Sequence, residues 1–200
     1  MKWGIDVSEH NGVIPWSALK KTGLSFAILR LGWEQYHLDE RFYENINGAL
    51  AAGIETGIYY YSYALTPVEA AREARFAAFV LRDGGLSPEY LAMGCWLDME
   101  DGDRYKKKNG LTHGEAITAI SAAFLEEMKK EGYPAGIYGS WDWLTHKIHR
   151  LSLPPGTPVW CAQWGRECNF PGAAIWQFTN ALRLEGLELD GDICLDKGQV

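Results

Sequence analysis

Short apolar runs alternate with longer segments of helical period over the first three-quarters of the chain. Trp3-Gly4-Ile5-Asp6-Val7 reads as a strand, and Ser25 to Leu31 as a second. Thr56 to Ala64, Cys95 to Asp98 and Tyr133 to Tyr138 follow as the third, fourth and fifth. Runs this short and this apolar suit strands covered on both faces. Between them stand helix signals. Pro15 opens a helix to Lys21, and Glu40 to Ala52 forms another that Gly53 stops. Thr66-Pro67 with Glu69 starts a long helix through Arg82, closed by Gly84-Gly85. Thr112 and Glu115 resemble a capping box for a helix through Lys130, and Trp141 to His149 is a further short one.

After Pro158 the pattern changes. Val159 to Gln163, Ala174 to Phe178 and Leu189 to Leu195 look like strands, with ten residues in each gap, too few for the usual crossover helix. Strand and helix alternating five times implies parallel strands. The expected fold class is therefore α/β: an irregular TIM-like (β/α) barrel, five βα units followed by three strands lacking full helices. A regular barrel of this kind takes roughly 250 residues, and this chain has 200. With no linker and no internal repeat, residues 1–200 are expected to form a single domain.

Composition narrows the partners. The formal net charge of -7 argues against a nucleic-acid backbone. The one dense basic run, Lys106-Lys107-Lys108, reads as loop decoration. Nine Trp and ten Tyr are many for this length and suit a ligand that stacks, such as a sugar. Met1 to His10 has no basic-then-apolar leader pattern, and no apolar run nears the ~18 residues of a membrane span. No signal peptide and no membrane partner are expected. Cys95, Cys161, Cys168 and Cys194 match no zinc spacing, and reduced thiols are the default. No metal and no cofactor are expected.

The acids carry the chemistry. Asp98 and Glu100 lie two apart at the end of the fourth strand, so they project from one face with Cα atoms ~6.6 Å apart. Two carboxyls in one site repel when both are ionised, which keeps one of them protonated toward neutral pH. That is the equipment of glycosidic general-acid catalysis. Asp6 ends the first strand, and Asp190 and Asp192 lie two apart in the last. In a closed barrel these five acids converge at one mouth. Clustered acids also hold divalent cations, so a metal-dependent polysaccharide hydrolase is one alternative. A wall-binding barrel without catalysis is another, against which the joint presence of Asp98 and Glu100 argues. Gly139-Ser140-Trp141 lacks the elbow pattern of a serine hydrolase.

Four segments in register resemble glycoside hydrolase family 25, the Chalaropsis-type lysozymes common as phage endolysins. They are Trp-Gly-Ile followed by Asp-Val-Ser-Glu-His-Asn-Gly, then Asp98-Met99-Glu100, Ile175-Trp176-Gln177-Phe178, and Leu189-Asp190-Gly191-Asp192. The resemblance covers essentially the whole chain. It implies an irregular barrel that hydrolyses the β-1,4 bond between N-acetylmuramic acid and N-acetylglucosamine in bacterial peptidoglycan. Carried over, Glu100 matches the general acid, Asp98 its partner, Asp6 the acid of the first strand and Asp190 that of the last. Tyr61, Tyr63 and Tyr138 match substrate-facing aromatics, and Gln163 with Trp164 the sixth-strand segment. The last strand departs from the family, reading Asp-Gly-Asp-Ile-Cys where Asp-Leu-Asn is more usual. That leaves Asp190 and Asp192 competing for the site; Asp190 is favoured. Asp98 either attacks the sugar directly or orients the 2-acetamido group so that the substrate attacks itself, the second being preferred. The resemblance also implies an endolysin held in the bacterial host cytoplasm before lysis, acting on the cell wall, with a C-terminal wall-binding domain beyond this chain.

Overall fold

The computed structural model describes residues 2–195. Its elements, in chain order, are β1 (Trp3–Val7), α1 (Trp16–Lys21), β2 (Phe26–Trp33), β3 (His37–Leu38), α2 (Phe42–Ala51), β4 (Glu55–Tyr61), α3 (Pro67–Asp83), β5 (Cys95–Asp98), α4 (Tyr105–Lys108), α5 (Gly114–Lys130), β6 (Ala135–Ser140), α6 (Trp141–His146), β7 (Val159–Ala162), β8 (Ile175–Leu184) and β9 (Leu187–Cys194). The strands run β1-β9-β8-β7-β6-β5-β4-β2, and a β1–β2 pairing closes the ring into an eight-stranded barrel. Every neighbouring pair from β1 through β2 and β4 to β8 is parallel. β9 is antiparallel to both of its neighbours.

The expected βα units are present, with differences that have local causes. β3 lies antiparallel on the end of β2, where β1 no longer reaches, so Gly32 meets the His37 carbonyl too closely for any side chain. β8 and β9 form a long hairpin in place of two short strands with a ten-residue gap. Leu182-Arg183-Leu184 and Leu187-Glu188-Leu189 alternate as a hairpin requires, and Glu185 and Gly186 turn with φ of 49° and 82°, a two-residue I′-like turn. At α5 the capping-box expectation fails: the N-cap is His113, with no side-chain cap bond. Thr66 and Glu69 do form the reciprocal box at α3, worth about 1 kcal/mol. β6, the expected fifth strand, begins at Ala135 rather than Tyr133, and α6 ends at His146 rather than His149. Among the described residues no helix is long and apolar enough to cross a membrane.

Outward-facing residues such as Ile5, Leu29, Ile58, Leu97 and Ile137 pack against the helices in the larger core. The barrel interior is a smaller core of Phe26, Ile28, Met93, Trp96, Tyr138, Trp160 and Ile175. Large rings fit there because glycine faces them. A Cβ on Gly4 would sit 2.4 Å from the Phe26 ring, and one on Gly136 2.4 Å from the Trp96 ring. These rings plug the barrel, and the next inward-pointing residues toward the C-terminal ends of the parallel strands are polar.

Candidate active site

The inward positions at and just above the top of the plug are Asp6 on β1, Arg30 on β2, Tyr59 and Tyr61 on β4, Asp98 at the end of β5 with Glu100 just past it, Tyr138 on β6, Gln177 on β8 and Asp190 on β9. Together they line a cleft of about 360 Å³ with Ser8, His10, Trp160, Trp164 and Asn180. Period-two alternation along each strand delivers them to the same side. The strand ladder continues one residue beyond β5, where the Met99 amide donates to the Tyr138 carbonyl at 3.0 Å, and this keeps Glu100 on the face of Asp98. A larger groove of about 700 Å³ lies between α6 and Asn169-Phe170-Pro171 but has no carboxyl side chain in its lining, so it lacks the chemistry.

The antiparallel direction of β9 decides between its two acids. Asp190 is paired with Asp6, whereas Asp192 is paired with Gly4, two residues deeper. Asp190 lines the cleft; Asp192 is fully buried beneath it, where its Oδ1 accepts the Trp160 indole N–H at 2.8 Å. Asp6 lies against both carboxyls and is held by the Gln177 amide, which donates to its Oδ2 at 2.8 Å. Burial and the two aspartates push the Asp6 carboxyl well above the usual carboxylate range. Burial likewise raises Asp192, to about 7. Asp192 Oδ2 finds no hydrogen-bond partner among the described residues.

Asp98 and Glu100 both titrate above the ordinary carboxylate range, burial being the first cause for each. Glu100 also raises Asp98, while Lys106 and then Arg30 oppose the rise. At Glu100 Lys106 opposes it, and Asp190, Asp101 and Asp103 add to it. Asp98 is 5% exposed, and its Oδ1 has no hydrogen-bond partner among the described residues. Arg30, beside this site, is paired with Asp39 at 2.8 Å and Glu9 at 2.9 Å. Among the described residues, no group of three or more His, Cys, Asp or Glu has the arrangement of a metal site.

Tyr61 and Tyr63 line an adjoining recess of about 400 Å³ with Trp33, Arg30, Glu9 and His10. The two tyrosine rings are 5.3 Å apart, and Trp33 stacks on His37 at 4.5 Å. Tyr61 lines the cleft as well as this recess, and Tyr63 lines the recess alone. Tyr138 reaches the cleft differently. Its ring is buried against Trp160 with centroids 4.4 Å apart, and its hydroxyl donates to Gln177 Oε1 at 3.1 Å, so it offers an edge rather than a stacking face. Gln163 does not line the cleft. Its Oε1 accepts the Asn169 amide and its carbonyl accepts the Trp176 indole, so it pins its own loop. Gln177 takes the expected place, joining Asp6, Tyr138 and the Trp164 indole. The signal for Gln177 was present: it is the one polar residue in Ile175-Trp176-Gln177-Phe178, and a polar residue buried in a strand requires partners. Arg30 offered the same signal in an apolar strand.

A closed α/β barrel with paired acids at the end of one strand and a further acid opposite defines a class of carboxylate-based hydrolases. Within that class this chain belongs to the glycosyl hydrolases family 25, which it matches over residues 5–187. It is 29% identical over 196 residues to lysozyme M1 of Streptomyces globisporus, covering 94% of this chain and 65% of that protein. It is 24% identical over 195 residues to the autolytic lysozyme of Clostridium acetobutylicum, covering 95% of this chain and 54% of that protein. The chain thus spans about two-thirds and about half the length of these two relatives. The crystal structure of the bacterial lysozyme from Streptomyces coelicolor has the same fold, with a TM-score of 0.80 at 23% identity, over 98% of this chain and 92% of that one. So does the modular autolysin LytC from Streptococcus pneumoniae, solved in complex with a synthetic peptidoglycan ligand: its TM-score is 0.81 at 21% identity, over 96% of this chain and 46% of that one.

Proposed function

We propose that this chain is a single catalytic domain with N-acetylmuramidase activity, hydrolysing the β-1,4 bond between N-acetylmuramic acid and N-acetylglucosamine in bacterial peptidoglycan. One observation carries the reading: Asp98 and Glu100 stand side by side at the end of β5 in the cleft, both raised in pKa, with Asp98 Oδ1 unpartnered. The lysozyme and autolysin names of the relatives support the substrate class.

Coupled carboxyls share their protons as a pair. Lys106 and Arg30 face Asp98, and Lys106 faces Glu100, which also meets three further acids. In this reading the shared proton sits on Glu100 and the negative charge on Asp98, where Lys106, Arg30 and the substrate's acetamido N–H favour it against the burial and the Glu100 charge that raise Asp98 well above the carboxylate range. Glu100 donates that proton to the bridging oxygen as the bond to the muramic acid C1 breaks, and the glucosamine leaves as an alcohol. The acetamido carbonyl oxygen of the muramic acid closes on C1, and its N–H donates to Asp98 Oδ1, whose charge stabilises the oxazolinium ion. Glu100, now ionised, takes a proton from the water that opens the ring. Direct attack by Asp98 is the competing version; a substrate lacking the acetamido oxygen would retain its rate under that version and lose it under the one favoured here. Tyr61, Tyr63 and Trp33 supply faces for neighbouring sugars.

Purified peptidoglycan digested with wild type and with Glu100→Gln, then reduced and analysed by mass, tests the assignment. Fragments ending in reduced muramic acid, lost in the variant, are the expected result. Fragments ending in reduced glucosamine would assign the other glycosidic bond. Pelleting with the wall without release of fragments would favour the binding-barrel alternative, and loss of activity in EDTA the metal-dependent one. In this reading the protein acts at the cell wall. An endolysin role, with storage in the host cytoplasm and a wall-binding domain beyond this chain, extends it.

A further inference from the structure

Three consecutive lysines, Lys106, Lys107 and Lys108, meet different fates. Lys107 and Lys108 are exposed; Lys106 is 1% exposed, which corrects the reading of the whole run as loop decoration. The cause is local. The Asp101 carboxylate accepts the backbone N–H groups of Lys106 and Lys107 at 2.7 and 3.0 Å, and Asp103 accepts that of Tyr105 at 2.9 Å. These bonds fold residues 105–108 into the single turn α4 and drive the first lysine inward. Its ammonium lands between two strand ends, donating to the carbonyl of Ser62 just beyond β4 at 2.5 Å and to that of Glu100 beyond β5 at 2.7 Å. It also lies over the rings of Tyr61 and Tyr63, 5.7 and 5.8 Å from their centroids. Ser62 is held from the other side, its hydroxyl donating to the buried Glu73 of α3 at 2.6 Å. Burying an ammonium is costly unless hydrogen bonds and opposite charge surround it. Tying two loops together does not by itself call for a full charge.

We propose that Lys106 is a positioning residue for glycoside hydrolysis: bound to the Ser62 and Glu100 carbonyls, its buried ammonium fixes the strand end that carries Glu100 and supplies the positive charge balancing the Asp98–Glu100 pair. This rests on Glu100 being the general acid. The groups around the pair are few and can be named. Glu100 faces Asp98, Asp190 of β9, Asp101, Asp103, Tyr61 of β4 and Tyr138 of β6; Asp98 also faces Arg30 of β2, Tyr59, Tyr61 and Tyr138; Lys106 faces Glu73 of α3 and Asp101 as well. Lys106 is the leading cation opposing the rise of Glu100 and of Asp98 alike. Without its charge both acids hold protons to higher pH. Asp98 then ionises later, Glu100 deprotonates later, and both limbs of the rate profile move the same way.

The test measures kcat and KM against pH on soluble, uncrosslinked glycan strands for wild type, Lys106→Gln, Lys106→Arg and Glu100→Gln. Lys106→Gln keeps an N–H donor but removes the charge; both limbs are expected to rise by about one pH unit, with KM within about twofold. Lys106→Arg keeps the charge and is expected to return both limbs to the wild-type pH. Wild-type limbs in Lys106→Gln, or the same alkaline shift in both lysine variants, would reduce Lys106 to a structural tie and overturn the proposal. Full activity in Glu100→Gln would instead sink the assignment of the acid, whatever the lysine variants do. If Lys106→Gln does not fold, coupling can be read in reverse, because it is reciprocal. The Lys106 ammonium, followed by side-chain nitrogen NMR, should titrate lower in Glu100→Gln than in wild type; an unchanged titration overturns the proposal.

Discussion

Glu73 sets the most discriminating test of the structure's energetics, because it is a buried acid with a defined cost. It lies on the inner face of α3 with no exposure, accepting the Ser62 hydroxyl at 2.6 Å and the Tyr63 amide at 3.0 Å. Burial lifts its pKa from 4.5 to about 7, against the pull of those two bonds and of Lys106. The folded state therefore holds a proton between these pH values that the unfolded chain has released. Stability tied to this group is fully present below pH 4.5 and is lost as pH rises toward 7. The slope is at most about 1.4 kcal/mol per pH unit, and the whole window contributes on the order of 3 kcal/mol. Glu73→Gln keeps the shape and both hydrogen bonds, since the amide oxygen accepts from Tyr63 and the amide N–H donates to a rotated Ser62 hydroxyl. Urea unfolding at pH 5 and pH 8 is the assay. Near pH 5 the variant should match wild type within about 1 kcal/mol; at pH 8 it should be the more stable by about 2–3 kcal/mol. A difference that is the same at both pH values would refute the reasoning, because it would mean that Glu73 is ionised in the fold throughout.

Other substitutions probe the plug and the cleft. Gly136→Ala forces a Cβ to within 2.4 Å of the Trp96 ring and 2.8 Å of the Pro158 carbonyl; it should cost about 1–3 kcal/mol, seen in the urea midpoint and in the near-UV dichroism of the buried tryptophans. Asp192→Ala leaves the Trp160 indole without its acceptor and should lower stability by about 2–4 kcal/mol, whereas Asp192→Asn should recover most of the loss in the same thermal melt. Gln177→Leu frees Asp6, Tyr138 and Trp164 together and should reduce kcat on peptidoglycan at least tenfold, while Gln163→Ala should leave kcat within about threefold. Equal losses in those two variants would mean that the wrong glutamine has been placed at the cleft.

Much of the barrel was legible because its signals are local. Five apolar runs, a true capping box at Thr66 and a change of pattern after Pro158 specify parallel βα units followed by something shorter. The β8–β9 hairpin was missed because Thr179-Asn180-Ala181 is polar and small and reads as a loop, although Leu182 to Leu189 alternates cleanly around Glu185-Gly186. α4 has only four residues, below any periodic signal. It depends on one carboxylate accepting two backbone N–H groups, a bond pattern that composition does not announce.

The site divides along the same line. Asp98 and Glu100 were readable because period-two geometry acts within one strand. Asp190 could be told from Asp192 only by the direction of β9: in a parallel strand the later residue would lie nearer the mouth, and in this antiparallel one the earlier residue does. Gln177 and Gln163 differ for a related reason. Gln163 falls just past the end of β7 and Gln177 inside β8, and only Gln177 lies across from Asp192 in the β8–β9 register and so points inward beside Asp6. Lys106 stood in plain sight in a run of three identical residues, and nothing in their order says which one turns in. Residues whose role follows from one element's period can be assigned from the chain alone. Those whose role depends on how two elements meet require the register, and in this barrel they are the ones that set the charge around Glu100.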